Sequence, residues 1–119
     1  MITSTENAEH YTWGDQCDGW PLLLSDNLSV IQERMPPATS EQLHYHERAQ
    51  QVFYILSGTA TFEVEGQAQT VLTGQSIHIT ANTKHRIFNN GEADLHFLVI
   101  SEPKTRGDRV NLGLGVGTT

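Results

Sequence analysis

The stretch HYHERAQQVFYILSG, residues 44–58, places two histidines one residue apart and just before an apolar run rich in β-branched and aromatic residues. In an extended strand, residues two apart project to the same face, so His44 and His46 point the same way and Tyr45 points the other way. Two imidazoles at this spacing can reach one metal ion. Gln51, at the start of the apolar run, can bring an amide oxygen into the same space. Paired histidines are also common on protein surfaces, so this pair alone is a weak signal.

Outward from this stretch, short apolar runs recur with turn signals between them, which indicates an all-β chain. In TATFEVEG, residues 59–66, Ala60, Phe62 and Val64 alternate with polar residues before Gly66 opens a turn. Similar runs are LSVIQERM, QAQTVLTG, SIHIT, KHRIFNN and LHFLVIS. Roughly eight to ten strands at spacings of about ten residues predict a single-domain sandwich or small barrel.

The composition excludes several classes of partner. The chain has 119 residues, with 7 Lys and Arg against 14 Asp and Glu, for a formal net charge of −7. A nucleic-acid partner requires a basic face, and an anionic membrane would repel this charge, so we expect neither. Cys17 is the sole cysteine, so no internal disulfide can form. The first residues lack the basic and apolar regions of a signal peptide, and we expect a cytoplasmic protein.

The residues around the histidine pair resemble the first sequence motif of the cupin superfamily. The spacing His44-x-His46, four residues, Gln51, six residues and Gly58 is similar to that motif, which has glutamate where Gln51 stands. Ala38 replaces the leading glycine of the motif. Of these departures, only Gln51 changes the chemistry of the site.

The stretch GQSIHITANTKHRIFN, residues 74–89, resembles the second cupin motif and supplies His85, with Asn89 four residues beyond it. Thr80 and Asn82 stand where that motif favours proline and glycine. Asparagine is the non-glycine residue that best tolerates positive φ, so Asn82 can keep the turn.

The resemblance implies the fold and its division. We expect an all-β, cupin-type double-stranded β-helix (jelly-roll) barrel in a single domain, usually a homodimer. Residues 1–20 are expected to form an N-terminal arm packing on the barrel, residues 21–105 the cupin barrel, and residues 106–119 a C-terminal tail with a frayed, glycine-rich end.

The resemblance also implies that His44, His46, Gln51 and His85 bind a divalent transition metal inside the barrel. Imidazole ligands suit several metals, and iron, zinc, manganese and nickel remain open. Because an amide carries no charge, the site is predicted to bind metal more weakly than a glutamate version would. The difference is on the order of several kcal/mol at an effective dielectric constant of about 20. An anionic ligand would restore the missing charge. The alternative is that the histidines are relics in a barrel without metal.

Other residues are expected to be structural. His78 and His96 are predicted to lie at the rim or surface, although either can join the site if its strand face turns inward. His10 is predicted at the surface, and Trp13 and Trp20 are predicted to cover the outside of a sheet. Barrel filling is favoured over pocket lining for Met35, Tyr54, Phe62, Phe88 and Phe97.

Two charged segments receive plain interpretations. Glu47 and Arg48 are expected to be solvated loop charges, and RGDRV, residues 106–110, is expected to be a turn with an Asp–Arg pair. Neither motif offers an evident free carboxylate base, so proton transfer is expected to rest on a histidine or a metal-bound hydroxide.

Two functions remain open. The first is a metal-dependent enzyme acting on a small organic anion, with dioxygenase-, isomerase- or cyclase-type chemistry. The alternative is a non-catalytic cupin that binds a small molecule. The fold alone does not choose between them.

Overall fold

The computed structural model describes residues 1–112, and within them the chain forms twelve β-strands and no α-helix. The strands are β1 (Tyr11–Trp13), β2 (Cys17–Leu24), β3 (Ser29–Met35), β4 (Thr39–Ser40), β5 (His44–His46), β6 (Gln50–Ser57), β7 (Thr59–Val64), β8 (Gln67–Leu72), β9 (Ser76–Ile79), β10 (His85–Asn89), β11 (Leu95–Glu102) and β12 (Arg109–Asn111). The predicted number of eight to ten was too low, because strands of two or three residues, such as β1, β4 and β12, show no recognisable alternation. The glycine-rich end predicted to fray, residues 113–119, lies outside the described residues.

The strands form two antiparallel sheets. The first sheet has the order β1-β2-β3-β11-β6-β9, and the second has the order β12-β5-β10-β7-β8, with β4 added on β10. This arrangement confirms the predicted all-β jelly-roll architecture. The first two strands belong to the first sheet, and β12 pairs with β5, so both ends of the described chain are hydrogen-bonded to the sheets. No helix in residues 1–112 is long and apolar enough to cross a membrane.

Alternate residues of the long strands fill the interior between the sheets. Phe53 from β6, Phe62 from β7 and Phe97 from β11 are buried, and the Phe53 ring centroid lies 5.0 Å from that of Phe62 and 5.8 Å from that of Phe97. Burying each such side chain contributes about 1.5–3 kcal/mol to folding. The rest of the apolar core is Cys17, Met35, Ile55, Ala60, Val71, Ile79, Ile87, Leu95 and Val99.

Several turns require a left-handed backbone. Asn82 has φ 64°, as its tolerance for this conformation predicted. Ala38 also has φ 64°, at the position where the first cupin motif has glycine, and an alanine there is disfavoured by roughly 1–2 kcal/mol. Gly58 has φ +87°, and an added Cβ would lie 2.8 Å from the carbonyl oxygen of Asp94, so only glycine fits between β6 and β7.

The inward-facing residues change from apolar to polar along the length of the barrel. In the first sheet, Ser29, Ser101 and Gln51 are adjacent in register and all buried, and they replace the apolar residues found further along the same strands. In the second sheet, His44 and His85 are direct cross-strand partners. One end of the barrel interior is therefore polar.

Candidate metal centre and the adjoining cavity

Three histidines meet inside the polar end of the barrel. His44 and His46 lie on β5 and His85 lies on the neighbouring strand β10, and all three are at most 5% exposed. Each offers a ring nitrogen, and these atoms all lie within 4.8 Å of one another. The ring centroids of His44 and His85 are 4.4 Å apart. Two ligand atoms on one zinc-sized ion are at most about 4.2 Å apart, so small side-chain adjustments suffice to coordinate it.

Backbone carbonyls fix the tautomers of two of these imidazoles. His44 Nδ1 lies 2.9 Å from the carbonyl oxygen of Gln42, and His85 Nδ1 lies 2.8 Å from that of Thr83. Because a carbonyl only accepts, each Nδ1 carries the proton and donates it. The lone pair is then on Nε2, and His85 Nε2 is buried without a hydrogen-bond partner. This is the arrangement that orients histidine ligands in metal sites.

Gln51 is held in a similar way. The side chain is 6% exposed, and its Nε2 donates to Ser101 Oγ at 3.0 Å. The amide oxygen is left buried without a hydrogen-bond partner. Gln51 and His44 line the same cavity, so the free oxygen belongs to the surroundings of the histidines.

The buried polar atoms without a hydrogen-bond partner indicate which kind of group this end of the barrel can bind. Across residues 1–112, the buried side-chain nitrogens and oxygens without a partner are Glu41 Oε1, His46 Nδ1, Gln51 Oε1 and His85 Nε2. Each unsatisfied buried polar group costs roughly 1–3 kcal/mol, so such atoms are rare. Two of the four belong to the three-histidine cluster, and the other two belong to residues that line the cavity beside His44. All are atom types that ligate metals. The donor set fits a divalent transition metal.

His44 and His46 are neutral at physiological pH, the form that binds metal. Burial, with further contributions from Arg109 and His85, lowers the pKa of His44 to about 3. Burial also lowers the pKa of His46 to about 4, reinforced by His44 and His85.

A cavity of about 240 Å³ adjoins the histidines and contains two carboxyl groups. Glu41 is 13% exposed, with Oε2 3.9 Å from His44 Nε2 and 3.4 Å from Arg109 Nη1. Glu33 accepts a hydrogen bond from the Tyr11 hydroxyl at 2.9 Å. The sequence motifs, which offer no evident carboxylate base, did not reveal these two groups. The signal available in the sequence was strand periodicity. Glu33 lies two residues after Ile31 on β3, so the two side chains project to the same, inward face.

Burial also shifts the acidity of these carboxyl groups. Burial, together with the charge of Glu41, raises the pKa of Glu33 to about 8. Burial raises the pKa of Glu41, while Arg109 acts in the opposite direction. Both shifts arise because the cavity solvates a carboxylate less well than water does.

The other histidines do not join the centre. His78 is exposed, and its Nε2 lies 2.9 Å from Gln50 Oε1. His96 is half-buried and alternates with the buried residues of β11, so it lies on the outer face of the sheet. His10 pairs with Asp18 at 2.7 Å and is 47% exposed. The expectation of surface positions holds for these three histidines.

The aromatic residues divide differently from the prediction. Trp13 lines the cavity, which corrects its expected place on the outside of a sheet, and its Nε1 donates to the Asp18 carbonyl at 3.1 Å. Trp20 lies beside His10, with ring centroids 5.4 Å apart. Barrel filling was predicted for five residues, and it holds for Met35, Phe62 and Phe97, which are core. It is wrong for Phe88, which packs under Arg86, and for Tyr54, which is 39% exposed. None of the five lines the cavity.

Asp108 has a structural role that the sequence did not reveal. The expected Asp–Arg pair within residues 106–110 is wrong, because the Asp108 carboxylate is buried and accepts backbone N–H groups of Arg48 at 2.8 Å and Ala49 at 2.9 Å. Burial raises its pKa, but these two donors outweigh that effect and the net shift is downward. Asp108 Oδ2 also lies 3.9 Å from His46 Nδ1. Asp108 thus holds the loop that follows His46, whose Glu47 and Arg48 are exposed as expected.

These observations define the class of protein: a two-sheet jelly-roll barrel with a three-histidine centre at one end. The family model described as the cupin domain matches residues 31–101, and the chain belongs to this family.

Individual relatives agree with this assignment. Over 67 residues the chain is 33% identical to an oxalate-binding protein from Thermotoga maritima, a match that covers 56% of this chain and 55% of that protein. The chain spans little more than half the length of the curated relatives it matches. Among solved structures, a predicted oxalate decarboxylase from Thermotoga maritima has a TM-score of 0.80 at 22% identity, covering 87% of this chain and 100% of that one. KdgF from a Halomonas species has a TM-score of 0.80 at 16% identity, covering 87% and 94%.

Proposed function

We propose that this cupin binds one divalent transition metal through His44, His46, His85 and the amide oxygen of Gln51, and that the centre acts on a small organic anion. The observation that carries the proposal is the concentration of all unpartnered buried polar atoms of residues 1–112 around the three histidines. Iron, zinc, manganese and nickel are the candidate metals, because imidazole does not discriminate strongly among them. When bound, the ion supplies Lewis-acid or redox chemistry.

The chain's own residues then have distinct tasks. The carbonyls that accept from His44 and His85 hold these rings in one orientation, and Ser101 does the same for Gln51. The Arg109 guanidinium lines the cavity and provides a cationic partner for an anion.

The environment of the bound molecule is also set by the cavity. Trp13 and Phe53 cover one part of it and limit the access of water. Glu33 and Glu41 are the groups placed to hold or move a proton next to a bound molecule. This set supports an enzyme of the dioxygenase, isomerase or cyclase type.

A second candidate is a non-catalytic binding protein. The specific observation in its favour is the 33% identity over 67 residues to a protein described as oxalate-binding. Replacement of the motif glutamate by Gln51 also favours this function, since it weakens the resting metal site.

We also propose that the protein is a homodimer formed through the outer face of the first sheet. Val52, Tyr54, Leu98 and Ile100 lie together on that face, and Tyr54 is 39% exposed. Exposed apolar sheet faces of this kind commonly mark protein interfaces. Tyr54→Glu should convert a dimer to a monomer in sedimentation velocity, and a monomeric wild type would contradict this proposal. A cytoplasmic location remains a prediction from the sequence.

The function is tested with protein purified without an affinity tag, stripped with a chelator and reloaded with each candidate metal. We expect one ion per chain, lost in His85→Ala and retained in the matched control His78→Ala, whose imidazole is exposed. Equal metal binding by His85→Ala would contradict the proposal. Oxygen uptake and product analysis on loaded protein, with a panel of small keto, hydroxy and dicarboxylic acids, then separate an enzyme from a binder.

A further inference from the structure

We propose that the cavity selects small anions that carry hydroxyl groups, with Glu41 accepting a hydroxyl hydrogen, and disfavours dicarboxylates that can only accept hydrogen bonds. This inference rests on the proposed function, because the metal centre and Arg109 are taken to bind the anionic end of the ligand.

The balance of donors and acceptors in the cavity carries the first step. Its walls hold two carboxyl groups, Glu33 and Glu41, and a single guanidinium, Arg109. That guanidinium is already engaged, with Nη1 3.4 Å from Glu41 Oε2 and Nε donating to Asn111 Oδ1 at 2.7 Å. A second ligand carboxylate would therefore find no free cation in this cavity, but it would face the carboxyl oxygens of Glu41, which repel it.

The position of Glu41 carries the second step. Its Oε2 lies 3.9 Å from His44 Nε2, so a group bound at the histidine centre comes within reach of this carboxyl group. Its Oε1 is buried and has no hydrogen-bond partner. A ligand hydroxyl would satisfy this oxygen by donating to it, whereas a ligand carboxylate would leave it unsatisfied.

Two further atoms point to the metal beside which the ligand would bind. Gln51 is 6% exposed and lines the cavity with its amide oxygen unpartnered. His85 is 1% exposed with Nε2 unpartnered. Buried polar atoms without a hydrogen-bond partner therefore lie at this end of the barrel. The carboxyl group of Glu41 decides which ligands the cavity favours.

The remaining walls of the cavity set the size and orientation of the ligand. Tyr11 donates its hydroxyl to Glu33 Oε2 at 2.9 Å and so fixes the orientation of the carboxyl group. Trp13 and Phe53 supply apolar faces for a carbon skeleton. At about 240 Å³, the cavity lies below the roughly 300 Å³ at which drug-sized pockets begin, so the ligand has only a few carbon atoms.

The test is calorimetric titration of metal-loaded protein with matched probes. Glycerate and propionate share a three-carbon monocarboxylate skeleton and differ in hydroxyl groups, and oxalate is a dianion that only accepts. We expect glycerate to bind at least tenfold more tightly than propionate. Glu41→Gln should weaken glycerate binding about tenfold and strengthen oxalate binding about tenfold. The matched control Glu47→Gln removes an equal charge from the exposed loop and should change neither affinity more than twofold.

The opposite shifts for glycerate and oxalate separate ligand selection from a structural role. Equal binding of glycerate and propionate, or parallel weakening of glycerate and oxalate in Glu41→Gln, would overturn the inference. If Glu41→Gln fails to fold, Glu41→Asp provides the second variant: it withdraws the acceptor oxygen and should weaken glycerate binding, and unchanged glycerate binding in this variant would overturn the inference. Metal content is measured in every sample. Full metal with no hydroxyl preference refutes this inference alone, whereas a wild type that holds no metal refutes the proposed function as well.

Discussion

The two ends of the barrel interior are built from the same strands but have opposite properties. On β6, Ile55 belongs to the apolar core, whereas Gln51 lines the cavity beside His44. On β11, Phe97 is core, whereas Ser101 holds the Gln51 amide. The apolar end has no unpartnered buried side-chain atom among the described residues, and the polar end has four.

This difference separates the part of the interior that stabilises the fold from the part that contains the candidate metal centre. At the apolar end, the core side chains are buried against one another and no ligand is needed to pair a buried polar atom. At the other end, two imidazole nitrogens, an amide oxygen and a carboxyl oxygen have no hydrogen-bond partner within the described protein and are available to bind a cation or a ligand. Buried polar atoms without a hydrogen-bond partner are expected mainly at functional sites. Among the described residues they all belong to the polar end of the barrel.

The largest expected effect is on the apolar end. Phe62→Ala should lower the free energy of unfolding by about 3–5 kcal/mol, because it removes a fully buried ring from the core. His85→Ala in metal-free protein should lower it by about 1 kcal/mol or less, since the unpartnered Nε2 leaves with the side chain. Urea denaturation in the presence of a chelator measures both. Similar decreases in unfolding free energy for the two variants would contradict the distinction between the apolar and polar ends of the barrel.

Metal should stabilise the protein only through the polar end. At a free metal concentration of 100 times the Kd, wild type should gain about 2.7 kcal/mol in unfolding free energy. Phe62→Leu should keep this increment although its baseline is lower, and His85→Ala should lose it. Thermal denaturation with and without metal reports the increment, and an unchanged increment in His85→Ala would argue against the site.

Gln51→Glu should raise metal affinity at least tenfold, because a carboxylate restores a full negative charge beside the ion. Gln50→Glu is the matched control, since Gln50 is the exposed neighbour on the outer face and should change affinity less than twofold. Chelator competition measures both affinities. Unchanged or weaker binding in Gln51→Glu would mean that Gln51 is not a ligand.

The last expected effect is a pH dependence from Glu33, which develops gradually over several pH units. Its pKa is raised to about 8 in the folded protein, from about 4.5 when unfolded, so the folded state binds more protons between these values. The Glu33 contribution to stability is therefore present below pH 4.5 and is lost as the pH rises toward 8, by at most about 1.4 kcal/mol per pH unit. Glu33→Gln removes this term, so its stability relative to wild type should increase between pH 5 and pH 8. A constant difference over this range would show that Glu33 titrates normally.

Much of the fold and the histidine cluster followed from sequence because both depend on local signals. Alternation in residues 59–64 identifies a strand, and the spacing of His44 and His46 places them on one face. The convergence of His85 with that pair depended on motif resemblance, since nothing local relates residues 39 positions apart.

The residues that were missed act across long sequence separations. Glu41 was overlooked because it precedes the motif histidines on a segment without alternation. Asp108 caps backbone groups some 60 residues away, and a turn-like sequence does not reveal such a partner. Trp13 lines the cavity only because β1 joins the edge of the first sheet, and a three-residue strand has no period to read.

The central claim is that three imidazoles bind a single ion inside this barrel. X-ray absorption spectroscopy of the metal-loaded protein counts imidazole ligands from their outer-shell scattering. We expect three imidazoles with additional oxygen donors, and for zinc a nitrogen distance of about 2.0–2.1 Å. His85→Ala should reduce the count to two. Fewer than three imidazoles in the wild type, or an identical spectrum for His85→Ala, would contradict the account.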